Sequence, residues 1–205
     1  MQTRTPGRRR PLAALVGLAV LASGAVASSA AAAATYSAPL RTAVRALPVA
    51  AESNDGYSRD AQFGRWRDEN ADCQDTRSEV LVQESRITAT GGCRINNGNW
   101  LSWFDNRTHT SATAVQIDHL VPVHEAWGSG ARAWTQARRV AFYNDLGDVR
   151  ALNAMTSSLN SAKGASGPER WLPPYAGARC RYIEHWAAVK HRWSLRVDSI
   201  CPSFT

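Results

Sequence analysis

Gln116-Ile117-Asp118-His119-Leu120-Val121-Pro122-Val123 reads as a short apolar strand that stops at a proline. Such a strand delivers an acid and an imidazole side by side at its end. Further along, Leu159-Asn160-Ser161-Ala162-Lys163-Gly164 offers an amide and a lysine on a small-residue turn or helix start. Carboxylate and amide oxygens suit a hard divalent cation, and a neutral imidazole near them has the chemistry to deprotonate a water.

Working outward, Asn96-Asn97-Gly98-Asn99 is a strong turn signal and Trp100-Leu101-Ser102-Trp103-Phe104 an aromatic strand closed by Asp105-Asn106. This strand and Val115–Val123 are expected to pair through the polar stretch Arg107–Ala114. Thr76–Ser85 predicts a helix with Asp75 as its acidic cap. Ala131–Tyr143 predicts another, with Trp134, Ala137 and Ala141 at helical spacing and Arg138 and Arg139 on other faces, where they are either solvated or in contact with phosphate. Tyr182, Trp186, Val189 and Trp193 recur at helical spacing, so the tryptophans belong to a core stripe rather than a base-stacking platform. Trp171-Leu172-Pro173-Pro174 is a rigid extended connection. These elements together read as α+β.

The first 34 residues have the order of a secretory signal: Arg4 and Arg8-Arg9-Arg10, an apolar run from Pro11 to Ala22, then small residues with cleavage fitting after Ala27 or Ala34. The arginine run is compatible with a Sec or a twin-arginine route. Removing residues 1–34 takes four arginines, leaving 20 basic against 17 acidic side chains and a net charge of +3 in place of +7. That mild excess neither identifies nor excludes a polyanionic partner. Residues 35–55 read as a linker or pro-like segment, and 56–205 as one domain with a single core. No stable membrane association is expected, and a monomer is.

In an exported chain, Cys73, Cys93, Cys180 and Cys201 favour disulfides, and no C-x-x-C spacing suggests zinc. Four cysteines allow three connectivities. The local separations favour Cys73 with Cys93 and Cys180 with Cys201, each loop worth roughly 3 kcal/mol in the chain-entropy description.

Asp118-His119-Leu120-Val121-Pro122-Val123, the following Glu125-Ala126-Trp127, Ser158–Gly164 and Trp171–Pro174 resemble, in that order, the secreted actinobacterial HNH-family endonucleases. The resemblance extends to Asp75-Thr76-Arg77, to Trp100–Asp105 and to the Cys-x-Tyr start of the last helix, so it spans most of Tyr57–Cys201. It implies a His-Me finger, a ββα-metal core of a β-hairpin and a helix around one divalent cation, Mg²⁺ or Mn²⁺, with helices flanking it. In that scheme His119 is the general base, and Asp118 and Asn160 are the metal ligands. Water attacks a phosphodiester of DNA or RNA with little sequence selectivity, because the chemistry is at phosphate.

Supporting roles have plainer readings beside them. Lys163 is a phosphate contact or a helix-end charge; Arg77 clamps the scissile phosphate or pairs with Asp75 or Glu79; Glu125 supports the metal through water or is an exposed helix-start acid. His124 is a candidate to assist the leaving group, while His109, His185 and His191 are assigned to the surface. For the group that orients the imidazole, Asn144, Asp148 and Asn153 compete with a backbone carbonyl. Two other classes stand open: a catalytically inactive secreted nucleic-acid or surface-binding module, and a delivered antibacterial nuclease toxin.

Overall fold

The computed structural model describes Gln2 and residues 34–198. The signal segment, apart from Gln2 and Ala34, lies outside the described residues, as does Cys201. In chain order the elements are α1 (Leu40–Arg45), α2 (Arg59–Gln62), α3 (Thr76–Glu84), β1 (Asn97–Ser102), β2 (Arg107–Ser111), β3 (Val115–His119), α4 (Val123–Gly128), α5 (Gln136–Tyr143), β4 (Leu152–Thr156), α6 (Ser157–Lys163) and α7 (Arg179–Trp193). Short 3-10 turns precede α5 and α7.

The strands form two separate antiparallel pairs, which corrects the expected pairing. β1 turns back on β2, with Leu101 opposite Thr108, because Asn106 takes a left-handed φ of 55° that asparagine tolerates and so closes the hairpin at once. β3 instead pairs with β4, with Asp118 opposite Asn153 and His119 opposite Leu152. Every residue of β4 is buried, so a strand 33 positions downstream of His119 had no alternating pattern to announce it. On β4 the amide of Ala154 donates to Glu84 Oε2 at 2.9 Å, so a side chain of α3 takes up a strand-edge donor. Burial pushes the Glu84 carboxyl up to about 7.

β4 runs straight into α6, since Thr156 is both the end of the strand and the N-cap of the helix. Gly164, at φ +54°, ends α6 directly after Lys163. α7 is the largest packing element: Tyr182, Trp186, Val189 and Trp193 are all buried, as their spacing predicts. α3 is also as predicted, with the Asp75 carboxylate accepting from the Ser78 amide.

The helix expected over Ala131–Tyr143 is two pieces, because Thr135 accepts from the Arg138 amide and starts α5 afresh. Arg139 is buried rather than solvated; it donates to the carbonyls of Gln62, Ala131 and Trp134. Residues 35–55 are not a free linker. Ala43 and Leu47 are buried, Tyr36 stacks on His191 at 3.8 Å, and Val49 bridges to Val197. Two apolar positions four residues apart are enough to dock α1 on α7, and an Ala/Pro-rich composition hides them.

The Cys73–Cys93 disulfide is present, with Cα atoms 5.0 Å apart. It ties the loop before α3 to the turn before β1. Cys180 is exposed at the start of α7 and has no disulfide partner among the described residues; the expected partner Cys201 lies outside them. Among the described residues, no helix is long and apolar enough to cross a membrane.

Candidate active site

Side chains alternate along β3, and this separates the two residues that stand together in the sequence. Gln116 and Asp118 meet α6, while His119 meets α5 and the loop before α3. Lys163 Nζ donates to both Asp118 oxygens at 2.8 Å and to the His119 carbonyl at 3.0 Å. Both side chains are buried, Lys163 fully. Lys163 is therefore neither an open phosphate contact nor a solvated helix-end charge. Burial pushes the Asp118 carboxyl up, and the Lys163 ammonium opposes that shift.

Asn160, one turn earlier on α6, donates through Nδ2 to Gln116 Oε1 at 2.6 Å. Its Oδ1 has no hydrogen bond among the described residues. The donor types suit a hard cation, but with both Asp118 oxygens held by an ammonium, the residues as arranged do not fit a resident divalent ion. Among the described residues no group of three His, Cys, Asp or Glu side chains has metal-binding geometry.

His119 is 6 % exposed and lies between aromatic rings. Trp66 stacks on it at 4.9 Å with planes 5° apart, and Tyr143 packs at 4.5 Å. Nε2 lies 2.9 Å from the Tyr143 carbonyl, which can only accept, so Nε2 carries the proton. That leaves Nδ1 as a lone-pair acceptor without a hydrogen-bond partner among the described residues. Burial is the main cause that pushes the imidazole down to about 3; the Tyr143 carbonyl works against it, and the charges of Arg59 and Lys163 add to it. At neutral pH this histidine is uncharged.

Of the competitors for orienting the ring, the backbone carbonyl is the one in contact. Asn153 bonds Trp103 Nε1 and the Arg150 carbonyl, and Asp148 is paired with Arg150 at 2.7 Å. Asn144 acts one step removed: its Oδ1 accepts from the Arg67 amide at 2.9 Å and from Thr76 Oγ1, and its Nδ2 donates to the Arg65 carbonyl. It thus holds the backbone on both sides of Trp66, the residue that covers the imidazole.

Other candidates settle into structural contacts. Arg77 donates to the carbonyls of Ala112 and Val115 at the entry to β3, and burial pushes its guanidinium down. Glu125 is paired with the buried Lys190, so it is not an exposed helix-start acid. With His124, Glu52, Glu169 and Trp186 it lines a polar cavity of about 150 Å³, where burial and Glu125 push the Glu52 carboxyl up to about 7. His109 bonds Thr156 Oγ1, His185 is half-buried near Trp103 and held at about 4 by burial, and His191 bonds the Ala43 carbonyl. None of the three is a bare surface histidine.

Sequence reasoning missed Tyr143, Trp66 and Arg59. A backbone carbonyl leaves no mark on residue type, and Tyr57–Trp66 shows no periodicity. The one available signal was an arginine and a tryptophan in an otherwise irregular polar stretch.

Comparison with known proteins adds a family. Residues 67–199 match the family described as GmrSD restriction endonucleases, C-terminal domain. An uncharacterized secreted protein of Arthroderma benhamiae is 41 % identical over 146 residues, which cover 71 % of this chain and 70 % of that protein. No solved structure matches. The matched stretch contains β3, β4 and α6 with Asp118, His119, Asn160 and Lys163, and the chain belongs to the family of GmrSD restriction endonuclease C-terminal domains.

Proposed function

We propose that this chain is a secreted endonuclease that hydrolyses phosphodiester bonds of DNA or RNA with little sequence selectivity, using β3, β4 and α6 as a ββα finger of the HNH type. The observation that carries the reading is His119, neutral, with Nε2 on the Tyr143 carbonyl and Nδ1 without a hydrogen-bond partner among the described residues. Family membership supports nuclease chemistry, and the secreted relative supports an extracellular site of action.

In the proposed reaction His119 Nδ1 takes a proton from water as its oxygen attacks phosphorus, and the opposite P–O bond breaks, the departing sugar oxygen taking a proton from solvent. A base held near 3 accepts that proton poorly in the free protein. A phosphate anion beside the ring favours the imidazolium and raises its pKa, so substrate entry activates the base. Trp66 and the Tyr143 carbonyl fix the ring plane meanwhile.

A divalent cation, Mg²⁺ or Mn²⁺, is the cofactor the HNH reading implies, and its charge would stabilise the phosphate in the transition state. Binding it between Asp118 and Asn160 requires Lys163 to leave the carboxylate. Plasmid digestion with Mg²⁺, with Mn²⁺ and with chelator tests both parts. Cutting only with metal is expected; undiminished cutting in chelator removes the cation, and no cutting under any ion favours an inactive nucleic-acid-binding module.

A further inference from the structure

Arg59 is exposed and reaches Tyr143, whose ring lies 4.5 Å from that of the buried His119. Its Nη2 donates to Tyr143 Oη at 2.9 Å, and its guanidinium carbon lies 5.4 Å from the Tyr143 ring centroid. That is the one hydrogen bond of its side chain among the described residues, and no carboxylate there pairs with it. A guanidinium carries five N–H donors, so most of the fork is uncommitted. The arginine is aimed rather than loose: Tyr143 anchors it, and the same residue's carbonyl holds His119 Nε2.

We propose that Arg59 binds the substrate phosphate next to His119, so that the segment upstream of the family-matched stretch completes the active site. The proposal rests on nucleic acid being the substrate. The other phosphate-contact candidates of the sequence are engaged elsewhere: Arg77, Arg138 and Arg139 donate to backbone carbonyls, and Lys163 to Asp118. Planar forked donors match phosphate oxygens and tolerate any base sequence. Residues 59 and 66 lie outside the matched residues 67–199, yet they supply one wall of the site.

The test is binding of a fluorescein-labelled DNA duplex to the purified protein in chelator over a salt series, read by anisotropy. Arg59→Ala and Arg59→Gln should weaken binding roughly tenfold or more, the loss of a charge-assisted phosphate contact. They should also flatten the slope of log affinity against log salt by about 0.9, the contribution of one phosphate. Arg59→Lys keeps the charge and should keep the slope. Tyr143→Phe removes the anchor but not the guanidinium, and should fall between.

Unchanged affinity and slope in Arg59→Ala overturns the proposal, and so does a lower melting temperature with an unchanged slope, which would make Arg59 structural. Cleavage by the wild type with Mg²⁺, measured in parallel, separates the two readings. Cutting with no Arg59 effect sinks only the arginine, whereas an Arg59 effect without cutting sinks the hydrolase. A wild type that binds no duplex overturns both.

Discussion

Replacing Lys163 by Met probes the pair that decides whether a cation can use this site. Lys163 is fully buried, and its ammonium touches both oxygens of an Asp118 that is itself 5 % exposed. Removing it leaves a carboxylate without its counter-charge in a sealed position, which costs about 3–5 kcal/mol where buried pairs have been broken on one side. A domain of this size has roughly 5–15 kcal/mol to lose. Lys163→Met is therefore expected to be folded but severely weakened. Asp118→Asn should cost somewhat less, because the ammonium keeps the His119 carbonyl and the new amide oxygen as acceptors. The double variant should recover most of the loss, since replacing both members of a buried pair is often neutral.

Urea denaturation of the four proteins in chelator gives the coupling energy, and repeating it with excess Mg²⁺ or Mn²⁺ separates structure from metal binding. If Asp118 is a ligand once Lys163 is gone, saturating ion at about a hundred times its Kd should restore close to 2.7 kcal/mol to Lys163→Met and nothing to the double variant. A single-variant cost below about 1 kcal/mol, or additive costs, would refute the buried-pair reasoning. A large coupling with no metal response would leave the pair as purely structural and remove Asp118 from the proposed ligands.

His119→Ala should lower turnover by roughly 10²- to 10⁴-fold in initial-rate assays, and the defect should persist at saturating Mn²⁺, because the proton acceptor and not a ligand is lost. Holding His119 at about 3 against an ordinary 6.5 means the unfolded chain binds a proton the folded one refuses, so this term is fully present above pH 6.5 and fades as pH falls toward 3. Its ceiling is roughly 5 kcal/mol, and a His119→Gln variant compared with wild type from pH 7 to 4 should lose its deficit, or gain an advantage, as pH falls. Glu84 has the opposite sign: a carboxyl raised to about 7 favours the folded state below pH 4.5 and loses that advantage as pH rises through 7, so Glu84→Gln should gain on wild type between pH 5 and 8 in thermal melts. Non-reducing peptide mapping should recover Cys73 linked to Cys93, and reduction of that loop should cost about 3 kcal/mol.

How much was legible follows from which interactions leave a pattern on one strand of sequence. The strand at Asp118-His119, the capped helix from Thr76 and the stripe on α7 each satisfy their own periodicity, and each is present. The partner of β3 was not legible. β4 is buried on both sides and lies beyond a helical insertion, so neither alternation nor proximity points to it. The proximity of Asp118 and His119 was legible, and so in principle was their divergence, since adjacent strand residues face opposite ways. Asp118 therefore meets a helix and His119 a ring stack. Lys163 shows the limit most sharply. Its spacing from Asn160 places both on one face of α6, but whether that face meets solvent or a carboxylate depends on β3.

The two halves of the site have opposite electrostatic needs, and the fold keeps them apart by one residue of strand. Asp118 requires a positive charge, because a buried carboxylate alone would take up a proton. The same positive charges, Lys163 with Arg59, push the imidazole next door further down. Placing His119 on the other face of β3, behind Trp66 and against a neutral carbonyl, limits that damage and fixes which nitrogen is free. In the proposed reaction a negative substrate offsets the charge of Arg59 and so lifts the base. A substrate lacking phosphate negative charge would leave His119 near its resting value, so a neutral phosphotriester analogue placed in the same site should be turned over far more slowly than the diester. Equal rates on the two would show that the imidazole needs no help from the anion.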